Sequence, residues 1–292
     1  MDFSTGAEMI ACCNKEQINI SEAMLRREEK LKGIGRKQVM EQMGNAWQIM
    51  RKSMLQPLRE PRRSMGGLIG GESKKIHIRS QSVKPICGDV TMKAITYAMG
   101  VLEVNASMGL IVAAPTAGSS GVIPGVFLAV QEEFGLSDSA ILDGLFHSAA
   151  VGYLITRNAT VSGAQGGCQA EIGSASAMAA SAVTQMMGGP PEQCLAAASL
   201  ALSNLMGLVC DPVAGLVETP CQKRNAIGAA NALICAEMAL SGVEELIPFD
   251  EMVEAMYQVG MRLPMELRET ALGGVAATPT ACRIRQKITA LK

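Results

Sequence analysis

From residue 92 to residue 240 the sequence is a succession of apolar runs in which small residues fall on most helical faces, and no run of alternating β-branched residues separates them. A half-buried strand needs period-two alternation, whereas a helix that is apolar all round has to be buried. The pattern therefore predicts an all-α protein, a compact multi-helix domain with central buried helices surrounded by others. The punctuation is consistent with this. Residues 93–110 read as one helix, Pro115 to Gly121 interrupts it, and a new helix begins at Val122. Ser137 is placed to cap the next helix, Pro191 begins another from its favoured first-turn position, and Cys221 leads a helix through residue 240. Asp250 is the expected cap of the helix that follows it, and Ser21 that of an early helix. Residues 1–60 read as a helical N-terminal appendage and 61–292 as the main helical domain.

Composition excludes several function classes. Of 292 residues, 48% are apolar and 18% charged, enough to bury a sizeable core and too apolar for disorder. A net charge of −1 and 3% aromatic content supply neither the basic surface nor the stacking platforms of a nucleic-acid binder, and no attraction to an anionic membrane. No basic-then-apolar leader opens the chain, and no uninterrupted apolar stretch reaches about 18 residues, so no membrane span is assigned. Nine cysteines without such a leader point to a reducing cytoplasm, where thiols bind metal or stay free.

Three places carry candidate chemistry. Cys168, Cys210 and Cys221 form a C-x41-C-x10-C pattern, each among Gly, Pro or small residues at a helix boundary. Three thiolates can hold a metal centre that keeps one position open, whereas closed sites take four. Spacing alone leaves simple core packing equally open, and it is the preferred reading for Cys194 and Cys235, which lie within apolar helical runs. The turn PTAGSSG (115–121) enters a helix and offers the N–H groups of Gly118 and Gly121 and the hydroxyls of Thr116, Ser119 and Ser120 to a carboxylate or phosphate. An ordinary interhelical turn has the same composition. Residues 57–92, rich in Gly and Pro, read as a loop reaching over something, with Arg62, Arg63, Lys74 and Lys75 available to a carboxylate. Gln169, Glu171, Lys223, Arg224 and Asn225 are polar residues following the cysteines in otherwise apolar surroundings, the positions expected around such a centre.

The segments APTAGSSGVIPGV (114–126), NATVSGAQGGCQAEIGSASAMAA (158–180) and GLVCDPVAGLVETPCQKRNAIGAANA (207–232), with GGLIGG (66–71) and GGVAATPTA (273–281), resemble the alpha chain of the iron–sulfur-dependent L-serine dehydratases. The resemblance implies a [4Fe-4S] cluster on Cys168, Cys210 and Cys221, and elimination of water from L-serine without pyridoxal phosphate. It implies substrate contacts from Thr116, Gly118, Ser119, Ser120, Gly121 and Gln169, and catalytic roles around Glu171, Lys223, Arg224 and Asn225. Single-chain members carry a further domain with a Ser-x-His-Thr motif that does not occur here, so a separate beta chain and a hetero-oligomer are expected. They also end on a cysteine, whereas Cys282 here is followed by ten residues, and His147 stands where a small residue is expected. Two other activities share parts of this pattern: desulfidation of L-cysteine on a similar cluster, and a non-catalytic iron–sulfur or zinc protein.

Overall fold

A computed structural model describes residues 2–290. Among them are thirteen α-helices: α1 (Gly6–Glu16), α2 (Ile20–Lys32), α3 (Arg36–Arg59), α4 (Glu72–Ser82), α5 (Asp89–Ala106), α6 (Val122–Phe134), α7 (Asp138–Asn158), α8 (Gly163–Gly166), α9 (Ser174–Met186), α10 (Pro191–Leu205), α11 (Cys221–Leu240), α12 (Phe249–Arg262) and α13 (Pro279–Ala290). The extended pairing is one isolated bridge, Cys210 with Arg268, so the all-α class holds for the described residues.

The centre is α9. Every residue from Ser174 to Thr184 is buried, which is what an Ala- and Ser-rich helix with no polar face requires. α7, α10 and α11 pack around it, and α5 lies against α11 with α6 alongside. Small residues let these axes approach closely. A Cβ on Gly125 of α6 would lie 2.7 Å from the Ala98 nitrogen and 2.8 Å from the Ala94 carbonyl oxygen of α5. Ser176 and Asn231 enter this core as a pair: Ser176 Oγ donates to the Gly228 carbonyl at 2.9 Å and accepts from Asn231 Nδ2 at 2.9 Å. α7 is long and apolar enough, by length and composition, to cross a membrane, yet most of that stretch is buried against α2 and α9 as a core helix.

Several boundaries match the sequence reading, and several differ for identifiable reasons. Ser137 caps α7 by accepting from the Ala140 nitrogen, and Pro191 opens α10. The cap of α2 is Asn19, not Ser21, and its side chain accepts from the Glu22 nitrogen. Asp250 lies inside the first turn of α12 and caps a different helix, accepting from the Gly6 and Ala7 nitrogens of α1 at 2.6 and 3.1 Å. The 57–92 loop is shorter than expected. α3 continues through Pro57 to Arg59, and α4 begins at Glu72. Residues 6–59 carry α1, α2 and α3, and Phe3, Met9, Trp47 and Met54 lie in the same core as α5 to α12. The charge run there lies on a largely solvated face.

Candidate active site

Three turns far apart in sequence meet at the N-terminal end of α9. The first follows α7 and α8. Cys168 precedes a π-helical turn, Gln169–Gly173, that runs directly into α9, and such turns displace side chains from the regular helical face. Gln169 stitches this turn in place. Its N–H donates to the Leu208 carbonyl (2.9 Å), its Oε1 accepts from the Gly207 nitrogen (2.7 Å), and its Nε2 donates to the Met256 carbonyl (2.9 Å). Both ends of the Gln169 amide are thus engaged by backbone.

The second turn carries Cys210 between α10 and α11. Its N–H donates to the Leu267 carbonyl (2.9 Å) and its carbonyl accepts from the Glu269 nitrogen (2.7 Å), so a C-terminal strap is paired along it. The strap bends sharply, with left-handed backbone at Glu269 and Ala271. Asp211 pins its further course by accepting from the Val275 nitrogen at 2.6 Å. The third element is α11, whose first residue is Cys221. A thiolate there faces the positive end of a 20-residue helix dipole.

Cys168, Cys210 and Cys221 are 3%, 3% and 8% exposed. Burial pushes all three thiols up, Cys221 to about 12 and the other two further; Glu171 adds to each, Cys221 adds to Cys168 and Cys210, and Cys168 adds to Cys210. Glu269 presses on Cys210 and Cys221, and the Arg224 guanidinium opposes the shift at Cys168 and Cys221. Arg224 itself is held by the Val209 carbonyl and by Asp211 Oδ1, each 2.7 Å from Nη1. Buried thiols of this kind ionise when a soft cation binds them. No three His, Cys, Asp or Glu side chains among the described residues stand at the spacing of a single metal ion. A polynuclear centre, in which each thiolate meets its own metal atom, sets its sulfurs further apart than one ion does.

Glu171 projects from the π-helical turn into the same space. Its Oε1 accepts from Thr116 Oγ1 at 2.7 Å, and its Oε2 is 4.0 Å from Cys210 Sγ. Burial pushes its carboxyl above the usual range, the Thr116 bond opposes this in part, and Glu269 adds to it. The space exists because residue 163 is glycine: a Cβ there would lie 2.6 Å from Glu171 Oε2 and 3.1 Å from Cys210 Sγ. The 115–121 turn closes the other side. Asn225 on α11 anchors it, donating to the Gly118 carbonyl (2.7 Å) and accepting from the Gly121 nitrogen (3.0 Å). The serine hydroxyls serve the turn itself. Ser120 Oγ donates to the Ala117 carbonyl, and Ser119 Oγ pairs with Thr116 Oγ1. The N–H groups of Ala117, Gly118 and Ser119 have no hydrogen-bond partner among the described residues. Three successive N–H groups here are available to an anion.

Of the residues singled out by sequence, Cys168, Cys210, Cys221, Glu171, Arg224, Asn225 and the 115–121 turn converge. Lys223 is exposed and acts on Glu72 instead. His147 is fully buried with both ring nitrogens paired, away from these groups. Asp211 and Glu269 were not singled out. Asp211 directly follows Cys210 and shares the signal that selected Gln169 after Cys168. Nothing local marks Glu269, which lies 59 positions beyond Cys210 and reaches it only through the paired strap.

The chain is similar to known proteins along most of its length. A family profile described as "Serine dehydratase alpha chain" matches residues 15–276. The protein described as "Probable L-serine dehydratase, alpha chain" of Bacillus subtilis (strain 168) is 44% identical over 98% of this chain and 95% of its own. "L-serine dehydratase, alpha chain" of Peptoniphilus asaccharolyticus is 44% identical over 97% of each chain. A longer relative, "L-serine dehydratase" of Helicobacter pylori (strain ATCC 700392 / 26695), is 35% identical over 95% of this chain and 62% of its own length. Together with the thiol-lined site, the profile match and these identities show that the chain belongs to the serine dehydratase alpha chain family.

Proposed function

We propose that the chain is the alpha subunit of an L-serine dehydratase, a carbon–oxygen lyase that eliminates water from L-serine to give pyruvate and ammonia. The observation that carries this reading is the convergence of Cys168, Cys210 and Cys221, buried, around Glu171 and three free backbone N–H groups, in a chain 44% identical to relatives so named. The three thiols fit a [4Fe-4S] cluster with one iron left free of protein, since their number leaves a position open and their burial favours a soft, charge-compensating centre. When bound, the cluster supplies a Lewis acid for the departing hydroxyl group.

The chain's own residues supply the rest. The substrate carboxylate seats on the N–H groups of Ala117, Gly118 and Ser119, which Asn225 holds in register with α11. Seating fixes the α-carbon beside Glu171. Glu171 takes the α-proton: burial makes its carboxylate more basic, and the Thr116 hydroxyl keeps Oε1 oriented. Arg224 balances the charge of Cys168 and Cys221. Gln169 holds the π-helical turn rather than the substrate. Loss of water leaves an enamine, which tautomerises and hydrolyses to pyruvate and ammonia.

The Helicobacter pylori relative extends well beyond the aligned region, and that extra length corresponds in this reading to a separate beta chain that completes the site in a hetero-oligomer. Nine free cysteines fit a reducing cytoplasm. The test is anaerobic reconstitution with iron and sulfide, followed by assay of pyruvate from L-serine and sulfide from L-cysteine, with and without the beta chain. Pyruvate release that depends on reconstitution supports the proposal. A preference for L-cysteine, or no turnover with both chains present, overturns it.

A further inference from the structure

Three carboxylates hold the Gly-rich segment 64–73, with Arg63 donating to the Gly67 carbonyl from its edge. Glu218, 2% exposed, accepts from Ser64 Oγ (2.6 Å) and from the nitrogens of Gly66 (2.6 Å) and Leu68 (2.9 Å). Glu103 on α5, 1% exposed, accepts from the nitrogens of Gly71 and Ser73, both at 2.9 Å, and from Gln222 Nε2 at 3.1 Å. Glu72 accepts from the Gly70 nitrogen at 2.6 Å. Among the described residues no lysine or arginine lies within ion-pair distance of Glu218 or Glu103. A buried carboxylate without a counter-ion is stable only when several donors converge on it. The donors to Glu218 all come from one loop, and Gly66 permits the approach: a Cβ there would stand 2.9 Å from Glu218 Oε1.

The position of these carboxylates in the chain gives the lock a consequence. Glu218 lies three residues before Cys221 and Gln222 one residue after it. The Glu218 carbonyl accepts from the Gln222 nitrogen at 3.0 Å, and the fully buried Gln222 reaches Glu103 on the other side. Cys221 is therefore flanked on both sides by residues tied to the loop.

We propose that Glu218 is a positioning residue for the third cysteine: by gripping residues 64–68 it holds the turn that presents Cys221, so that the loop and this thiolate stay in place as one unit. This rests on the reading of Cys221 as a cluster ligand. In Glu218→Gln one acceptor oxygen becomes an NH2 group facing N–H donors, and the loop is released while the apolar core is untouched.

The experiment uses the full chain as wild type, E218Q, S64A, C221A and Q185A, the last disturbing a polar node built on His147 and Ser21. Each is reconstituted anaerobically. Bound iron and sulfide, the rate of cluster loss to EDTA, and the rate of trypsin cleavage after the exposed Arg62 and Arg63 are measured. E218Q is expected to lose cluster and to be cleaved about tenfold faster than wild type. S64A, which removes one donor, moves both rates in the same direction by less and carries the test if E218Q does not fold. Q185A loses thermal stability and keeps the wild-type rate of cluster loss. Wild-type cluster retention in E218Q beside a cluster-free C221A overturns this proposal alone, as does equal acceleration in Q185A. A C221A protein with full iron and sulfide overturns the ligand reading and this proposal with it.

Discussion

Two polar nodes are buried at opposite ends of α9. At the C-terminal end, His147 Nδ1 donates to Gln185 Oε1 (2.8 Å) and Nε2 accepts from Ser181 Oγ (2.7 Å). Gln185 Oε1 also accepts from the Ile20 nitrogen (3.1 Å), and Nε2 donates to Ser21 Oγ. The named side chains have partners, and the node joins α2, α7 and α9. At the N-terminal end the three thiols are also buried, Cys210 Sγ meets Glu171 Oε2 only at 4.0 Å, and the N–H groups of exposed Ala117, half-buried Gly118 and buried Ser119 have no partner among the described residues. A satisfied node stabilises one packing arrangement, whereas an unsatisfied one costs free energy until something binds there. The difference between the ends, rather than polarity or burial, is what separates the candidate site from the core.

The largest effect tests whether the thiols await a metal centre. Cys168→Ala, Cys210→Ala and Cys221→Ala should each abolish cluster binding and serine turnover, while Cys194→Ala, also fully buried, should change neither. Iron and sulfide analysis after anaerobic reconstitution decides it, and full occupancy in the Cys210 variant would break the comparison. Next, Glu171→Gln should lower kcat by about 10²–10⁴-fold with the cluster spectrum intact, as expected for loss of a general base. An unchanged kcat would move the proton transfer elsewhere.

The other node should respond to pH instead of substrate. Burial lowers the His147 pKa to about 4, although its bond to Gln185 opposes the shift. The unfolded chain, with an ordinary histidine, takes up a proton that the folded chain refuses. The stability associated with neutral His147 is therefore complete above about pH 6.5 and is lost as pH falls toward about 4, a total of about 3 kcal/mol. Denaturant titrations of wild type and His147→Gln at several pH values should show a steeper acid decline in wild type. Parallel curves would remove His147 from that account. The smallest effect sharpens the substrate side: Asn225→Ala frees the 115–121 turn and should raise KM for serine about tenfold, with kcat changed less. Steady-state kinetics at constant cluster content would show this, and an unchanged KM would exclude the turn from substrate binding.

Local chemistry explains which features were legible in advance. Ser137 caps its own helix, Pro191 opens its own, and the small-residue run at 174–184 is buried because it has no polar face. Asp250 shows the limit. Its capping chemistry is readable, but it serves α1, 244 residues away from the Gly6 nitrogen it accepts, so only packing decides which helix benefits. The GGLIGG motif shows the same limit: glycine signals close approach, but only packing decides that the groups that approach are Glu218 at Gly66, Glu103 at Gly71, and the neighbouring Arg63 and Arg62 at Gly67 and Gly70.

By itself, then, the sequence determined an all-helical chain, the three cysteines at helix boundaries and the Gly-rich turns, because helix formation, capping and backbone freedom depend on neighbours within a few residues. Tertiary structure alone decided that Glu269 lies beside Cys210, that Glu218 grips the loop ahead of α4, that Gln169 faces backbone, and that His147 is paired while the N–H groups of residues 117–119 are not. Whether a buried polar group is satisfied depends on which distant segment packs over it. That is a property of the closed core, and no local pattern of residues encodes it.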